Sequence, residues 1–484
     1  MHRQSSAALL LVVSVILLSR APAAAAAADP TPPPNVVLIF TDDQGYGDLS
    51  CFGSETIHTP NIDRLAREGR KFTSFMVASP VCSPSRAALL TGCYPKRVGM
   101  HRHVLFPTST TGLDPAEHTI ADQLKAQGYA TACFGKWHLG HLPEVLPRAQ
   151  GFDVYLGIPY SNDMNHPDNK GRPPGGPAGM DALWAEPDSS LTQWKTPLVE
   201  NEEIVELPVD QRTVTRRYTQ RAIDFIRGHR DGPFFVYLPH SMPHIPLYVP
   251  DDVRDPDPLR AYITTIEHID AEVGRLLDTL DDLGLADTTY VIYTSDNGPW
   301  LSFKHHGGSA GPLRDGKSTT FEGGQRVPCV IRGPGIPAGT TCDALTGTID
   351  VLPTLAALTG GTLPPDRQID GLDMSAVWRG EVETSPRDEF LYYTAQGEIE
   401  GIRQGSWKLL VKRPRRARKT AADAVPPAPQ VLLFDLATDL GEQTNRAAEH
   451  PDVVARLRNR MTELDGEITA HARPKWSRDQ RPRF

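Results

Sequence analysis

Asn35-Val36-Val37-Leu38-Ile39-Phe40 is an apolar, β-rich run that breaks off in Thr41-Asp42-Asp43, a polar strand end with two adjacent carboxylates. The same grammar returns along the chain. Tyr129–Phe134 ends in Gly135-Lys136-Trp137-His138, Phe234–Leu238 runs into Pro239-His240 and then His244, and Thr288–Tyr293 ends in Ser295-Asp296-Asn297-Gly298. Val327–Ile331 is a fifth run of this kind. Helical patterns lie between them, at Asn61–Glu68, Ser85–Leu90, His118–Gln127, Arg212–Gly228, Leu259–Leu283 and Ile349–Leu358. Strands alternating with helices predict an α/β fold with a large, mostly parallel sheet flanked by helices. Ligands of doubly wound sheets bind beyond the carboxyl ends of the strands. Four strands that deliver charged side chains to that edge therefore make a constellation.

The flanks of this region read differently. His2 and Arg3 precede an apolar run from Ala7 to Leu18 and small residues through Ala28, the pattern of a cleaved secretory signal over residues 1–28. The run is too short to span a bilayer, so no membrane attachment is expected after cleavage. A Pro-rich joint at Pro30–Pro34 leads into a catalytic domain expected over 35–380. Tyr160–Pro208 is rich in Pro, Gly, Asp and Asn and reads as a long loop, of the kind that walls a substrate site. Beyond Arg379–Asp388, four short antiparallel strands (Phe390–Tyr393, Gly401–Arg403, Trp407–Val411, Gln430–Asp435) and a helix at Asp452–Thr469 predict a small α+β subdomain over 385–472. A basic tail, 473–484, follows. The formal charge of −9 gives no case for nucleic acid, and the basic run Arg413–Lys419 reads as a solvated loop. The 44 prolines and 40 glycines at ordinary apolar content suit a loop-rich globular enzyme. The absence of any Asn-x-Ser/Thr acceptor favours a bacterial export route, periplasmic or secreted. Six cysteines, at 51, 82, 93, 133, 329 and 342, are too sparse for a disulfide scaffold, although Cys329 and Cys342 are near enough in sequence to pair.

Cys82-Ser83-Pro84-Ser85-Arg86, followed by Ala87-Ala88-Leu89-Leu90-Thr91-Gly92, is an unusual helix start. Pro84 suits a first turn, and Ser83 or Ser85 can cap amides there. Residue 82 then sits at the positive end of the helix dipole with Arg86 one turn away, a place that favours an anion. Asp42, Asp43, Asp296 and Asn297 offer oxygen donors and no soft ligand, which suits Ca2+ or Mg2+ rather than zinc. Either pair alone would suit a strand-end turn as well as a metal site, and together with the Cys82 segment they favour the metal site. Lys136, His138, His244 and Lys317 add cationic or proton-carrying groups, as a reaction at a charged ester requires.

These segments resemble the type I sulfatases. The C-x-P-S-R…L-T-G pattern at Cys82 matches the family's first signature, and Gly128-Tyr129-Ala130-Thr131-Ala132-Cys133-Phe134-Gly135-Lys136-Trp137-His138-Leu139-Gly140 matches its second. Gly157-Ile158-Pro159-Tyr160-Ser161 and Leu313-Arg314-Asp315-Gly316-Lys317…Glu322-Gly323-Gly324-Gln325-Arg326-Val327-Pro328 are most similar to the arylsulfatase A and N-acetylgalactosamine-6-sulfatase branch. The resemblance implies an alkaline-phosphatase-like fold and hydrolysis of a sulfate ester, of a carbohydrate or an aryl alcohol. It implies that a maturation enzyme oxidises Cys82 to Cα-formylglycine, whose hydrate is the nucleophile: one hydroxyl attacks sulfur and the other later expels sulfate. It further implies Ca2+, in preference to Mg2+, on Asp42, Asp43, Cys82, Asp296 and Asn297. Arg86 would anchor the hydrate and His138 would take its proton. Lys136, His244 and Lys317 would grip the sulfate, with His244 or Lys317 protonating the leaving alcohol. Two other readings stay open: a phosphodiesterase or phosphonate monoester hydrolase of the same superfamily, and a sulfated-glycan binder whose Cys82 is never converted.

Overall fold

In chain order the large sheet and its helices comprise β1 (Asn35–Thr41), α1 (Pro60–Glu68), β2 (Arg70–Met76), α2 (Cys82–Thr91), α3 (Ile120–Lys125), β3 (Ala130–Phe134) and β4 (Val154–Gly157). They continue through α4 (Gly176–Ala185), β5 (Leu198–Glu200), β6 (Glu203–Glu206), α5 (Val214–Gly228), β7 (Phe234–Leu238), α6 (Ala261–Asp282) and β8 (Thr289–Ser295). β9 (Arg326–Arg332), β10 (Thr340–Cys342), β11 (Thr346–Gly347) and α7 (Val351–Leu358) complete this part. The computed structural model describes residues 32–165, 175–186, 188, 194–413 and 428–480. The expected signal at 1–28, the basic run beyond Arg413 and the last residues of the tail lie outside the described residues.

The strand order is β10-β2-β9-β8-β1-β7-β3-β4-β5-β6, with β11 also paired to β2. β8, β1, β7, β3 and β4 run parallel, and Val37 pairs with both Val236 and Val291. Parallel strands are buried on both faces, hence their continuous apolar runs. Alternate residues of β1 divide between two cores. Val36, Leu38 and Phe40 pack with Leu89, Leu124 and Leu355 of α2, α3 and α7. Val37 and Ile39 pack with Leu65, Tyr218 and Ile266 of α1, α5 and α6. The result is the expected sheet between two helical layers.

Several local features differ from expectation. β9 runs antiparallel to β8, and β5 and β6 extend the far edge in antiparallel fashion, so the sheet is mixed. β2 has no counterpart in the sequence reading. Its polar start, Arg70-Lys71, hides a strand whose Arg70 is buried against the Val377 carbonyl and Glu383. The described part of 160–208 is not one loop but contains α4, β5 and β6. Cys329 and Cys342 both pair with Phe72 from opposite sides of β2, two strand spacings apart and beyond disulfide reach, and all six cysteines are unpaired.

A second, antiparallel sheet orders β12 (Glu389–Tyr393), β13 (Ile399–Gln404), β14 (Trp407–Lys412) and β15 (Gln430–Asp435), with α8 (Pro451–Ala470) packed on it. Its apolar face joins Leu391, Ile402, Leu409 and Leu457 to Met76 of β2 and Ala88 of α2. Among the described residues, no helix is long and apolar enough to cross a membrane.

Candidate active site

The ends of β1, β3, β7 and β8 are stitched laterally by main-chain hydrogen bonds. Asp296 N–H donates to Thr41 O at 3.0 Å, Asp42 N–H to Met242 O at 3.3 Å, and Lys136 N–H to Pro239 O at 2.7 Å. This fixes the turns in which the polar residues sit. Asp43 and His138 adopt left-handed φ of 64° and 60°, strained for non-glycine residues and typical of sites the surroundings over-determine. α2 begins at Cys82 itself, with Val81 as its N-cap and no side-chain cap. The expected cap by Ser83 or Ser85 is absent because Ser83 Oγ instead accepts Leu105 N–H, at 3.0 Å, while Ser85 Oγ is buried without a hydrogen-bond partner. Gly92, at φ 66°, closes the helix in the left-handed conformation.

All ten sequence-selected residues converge beside the N-terminus of α2. Arg86 donates to Asp296 Oδ2 from Nε at 3.1 Å and Nη2 at 2.8 Å, and from Nη1 to Lys136 O at 3.1 Å. Lys136 pairs with Asp42 and donates to Ser161 Oγ at 3.1 Å. Lys317 donates to Asp43 Oδ2 at 2.6 Å and lies 4.1 Å above the Trp300 ring. Asn297 Nδ2 donates to Asp43 Oδ1 at 2.7 Å. Cys82 Sγ contacts Asp42 Oδ1 at 3.3 Å. His244 Nδ1 bonds the Ile245 carbonyl at 2.6 Å, leaving Nε2 toward Ser161 Oγ at 3.4 Å and Asp43 Oδ2 at 3.5 Å. His138 Nε2 bonds the Leu105 carbonyl at 2.9 Å, and its Nδ1 has no partner.

Three buried carboxylates thus face three basic side chains, so their formal charges balance and a divalent ion would add positive charge. Burial raises Asp42, but Lys136, His244, Arg86 and Lys317 more than offset this and hold it well below the usual carboxylate range. Burial and the neighbouring Asp42 push Asp43 up against the pull of Lys317. Burial, Asp42 and Asp43 raise Asp296 to about 7 despite Arg86. The raised values of Asp43 and Asp296 mark carboxylate charge that these side chains do not fully compensate and that a bound cation would relieve. Asp42, Asp43, Asp296 and Cys82 offer donor atoms within 4.8 Å of one another, and the Asn297 Oδ1 atom is buried with no partner. An oxygen-rich set with an orphaned amide oxygen fits a hard divalent ion.

Burial, with Asp296 and Asp42, pushes the Cys82 thiol far up, so it stays protonated and is a poor nucleophile. Burial and nearby cations hold His138 and His244 well below the ordinary imidazole value, keeping both neutral. Burial opposes the charge on Lys317, but Asp43 and Asp42 prevail and raise it.

Sequence reading missed two participants. Ser161 bridges Lys136 and His244, and Trp300 stacks 5.4 Å from His244 while carrying Lys317 over its face. Ser161 lay within a quoted motif. Nothing marked Trp300 except its place after Asn297-Gly298-Pro299.

A sulfatase family model matches residues 34–361. The chain belongs to the sulfatase family. This sulfatase is 37% identical to human arylsulfatase A over 457 residues, 90% of the chain and 89% of that protein. It is 40% identical to rat arylsulfatase G over 369 residues, 73% of the chain and 70% of that protein. A solved structure from the metabolism of glycosaminoglycans by Bacteroides thetaiotaomicron is 28% identical, with a TM-score of 0.75 over 91% of the chain and all of that structure. The sulfatase is accordingly a sulfuric-ester hydrolase with an alkaline-phosphatase-like fold, similar to the arylsulfatase A branch.

Proposed function

We propose that this sulfatase is an exported enzyme that hydrolyses carbohydrate sulfate esters, and aryl sulfates with them, through a formylglycine made from Cys82. The observation that carries this reading is the meeting of residue 82, at the start of α2, with three carboxylates, three cations and two neutral imidazoles. A thiol held protonated in that place has little use as a nucleophile, whereas a hydrated aldehyde there supplies one hydroxyl to attack sulfur and a second to expel sulfate.

Asp42, Asp43, Asp296, Asn297 and the converted residue 82 would hold Ca2+, which supplies charge stabilisation and orientation. Arg86, fixed by Asp296 and Lys136 O, would bring its positive charge to bear on the hydrate at the residue one turn before it. His138, with Nε2–H committed to Leu105 O, keeps Nδ1 as an acceptor for the proton released at residue 82. Lys136, His244 and Lys317 surround the sulfate oxygens. Lys317, charged beside Asp43, or His244 would protonate the departing alcohol, and Lys317 carries the proton in the resting site.

Residues 35–380 would form the catalytic domain and 385–472 the small subdomain, after removal of the signal at 1–28. The Bacteroides neighbour, named for glycosaminoglycan metabolism, supports a glycan substrate, as does the signal-like N-terminus. Turnover of an aryl sulfate and of an aryl phosphodiester separates this reading from the same-fold alternative. The sulfate should be hydrolysed far faster. A preference for the phosphodiester would overturn it. A panel of sulfated oligosaccharides differing in sulfate position then tests the glycan assignment.

A further inference from the structure

A second cluster of metal-type donors lies outside the site described above. His305 Nε2 and His306 Nε2 both contact Asp181 Oδ1, at 2.6 and 2.8 Å. The three donor atoms lie within 4.8 Å of one another. Asp181 belongs to α4, in the segment expected to wall the substrate site, whereas the histidines end the short helical stretch Leu301–His306 directly after Trp300. Adjacent side chains in a chain usually diverge. Here both reach the same carboxylate oxygen, and the residue before them, Lys304, adopts φ 54° and ψ −119°, a strained conformation for a residue with a Cβ. Such strain persists where the surroundings enforce it. The two imidazole rings stand 4.5 Å apart.

We propose that Asp181, His305 and His306 form a transition-metal site, of the Zn2+ class, that fastens α4 to the segment bearing Trp300. Two imidazole nitrogens with one carboxylate suit Zn2+ and its first-row neighbours, whereas Ca2+ takes oxygen ligands. Zinc binds such atoms at about 2.0–2.2 Å, which in tetrahedral geometry separates donors by about 3.4 Å. The Asp181 carboxylate must therefore retreat by somewhat less than an ångström from each ring. It can do so, because its side chain is 37% exposed on α4, while His306 is 1% exposed and fixed. His305 is 25% exposed, so the fourth coordination position opens to solvent or to a ligand hydroxyl. Trp300 stacks on His244 and underlies Lys317, so an ion here would tie the expected wall of the pocket to the residues around the reacting group. The proposal concerns binding and does not depend on the reaction assigned to residue 82.

Isothermal titration of ZnCl2 into the full-length protein, kept in saturating Ca2+ so that the oxygen-rich cluster is filled, tests this directly. One Zn2+ should bind per chain, and the unfolding temperature should rise with it. The double variant His305→Gln/His306→Gln should weaken binding by at least about 100-fold, since losing even an outer-shell partner costs 10–100-fold. Asp181→Asn alters a partly exposed side chain and serves as a second test if the double variant fails to fold. Its affinity should fall as well, and the visible bands of Co2+ bound to the wild type should disappear. No stoichiometric Zn2+ binding to the wild type, or equal binding by wild type and Asp181→Asn, would overturn the proposal and leave the cluster a hydrogen-bonded clasp.

Discussion

Lys317 is where the chemistry of a single side chain is most exposed to test. Its ammonium is held between Asp43 and the face of Trp300, which keeps it charged. A general acid matters most when the leaving group is a poor one. Lys317→Ala should therefore cost roughly 10²–10⁴-fold in kcat/KM for sulfates of weakly acidic phenols and much less for sulfates of strongly acidic ones. Rates for a series of aryl sulfates, wild type against variant, read this out. Equal losses along the series would reduce Lys317 to a binding role. A second residue-scale expectation concerns pH. Burial holds His240 at about 3 and His268 at about 4, so both are neutral when folded. Their folded values lie below the unfolded one, near 6.5, so the unfolded chain takes up more protons and stability falls on acidification. Between pH 7 and 5 each such group removes about 2 kcal/mol. Urea midpoints at pH 7 and 5 should show this decline, and His240→Gln should make it shallower. An unchanged slope would contradict it.

At the scale of elements, close backbone packing holds the site together. A Cβ on Gly298 would lie 1.7 Å from Gly323 O, because the turn after β8 backs directly onto the turn before β9, with Gly298 N–H bonded to Gly324 O. Gly298→Ala should displace Asn297. With Ca2+ held there as proposed, its apparent affinity should fall, so that activity needs a higher ion concentration, with turnover down at least about tenfold; unaltered Ca2+ dependence would count against this coupling. The same turns explain what was legible beforehand. Strand runs such as Asn35–Phe40 and Thr288–Tyr293 announced themselves because central parallel strands are apolar throughout, and Asp42-Asp43 and Asp296-Asn297 stood out as carboxylates where those runs end. β2 was illegible because its core-facing phenylalanines are interleaved with Lys71, Thr73 and Ser74. The direction of β9 depends on its partners and not on its own residues. Ser161 became visible only when folding brought Lys136 and His244 to either side of it. The His305–His306 pair lacked any signal in sequence for Asp181, over a hundred residues away.

At the scale of the whole molecule, the small sheet is part of the active-site scaffold. Lys408 of β14 is fully buried between Glu322, at 2.8 Å, and Glu442, at 2.9 Å, and lies 4.1 Å from the Tyr392 ring. Burial would raise Glu322, but Lys408, Arg326 and Arg403 bring it down to about 2. Glu442 in turn accepts Glu322 N–H at 2.6 Å, and its carbonyl accepts Arg314 Nη1 at 2.7 Å, so the segment bearing Lys317 is tied at both ends. Lys408→Met would leave two buried carboxylates short of a partner. It should cost about 3–5 kcal/mol of stability, seen in thermal unfolding, and lower kcat although Lys408 never meets substrate. Wild-type stability and turnover would dismiss the network as incidental. The proposed chemistry of the whole molecule stands or falls at residue 82. Mass spectrometry of the peptide spanning Cys82, from protein made in its native host, should find an aldehyde in place of the thiol; an intact cysteine in a turning-over enzyme would contradict it.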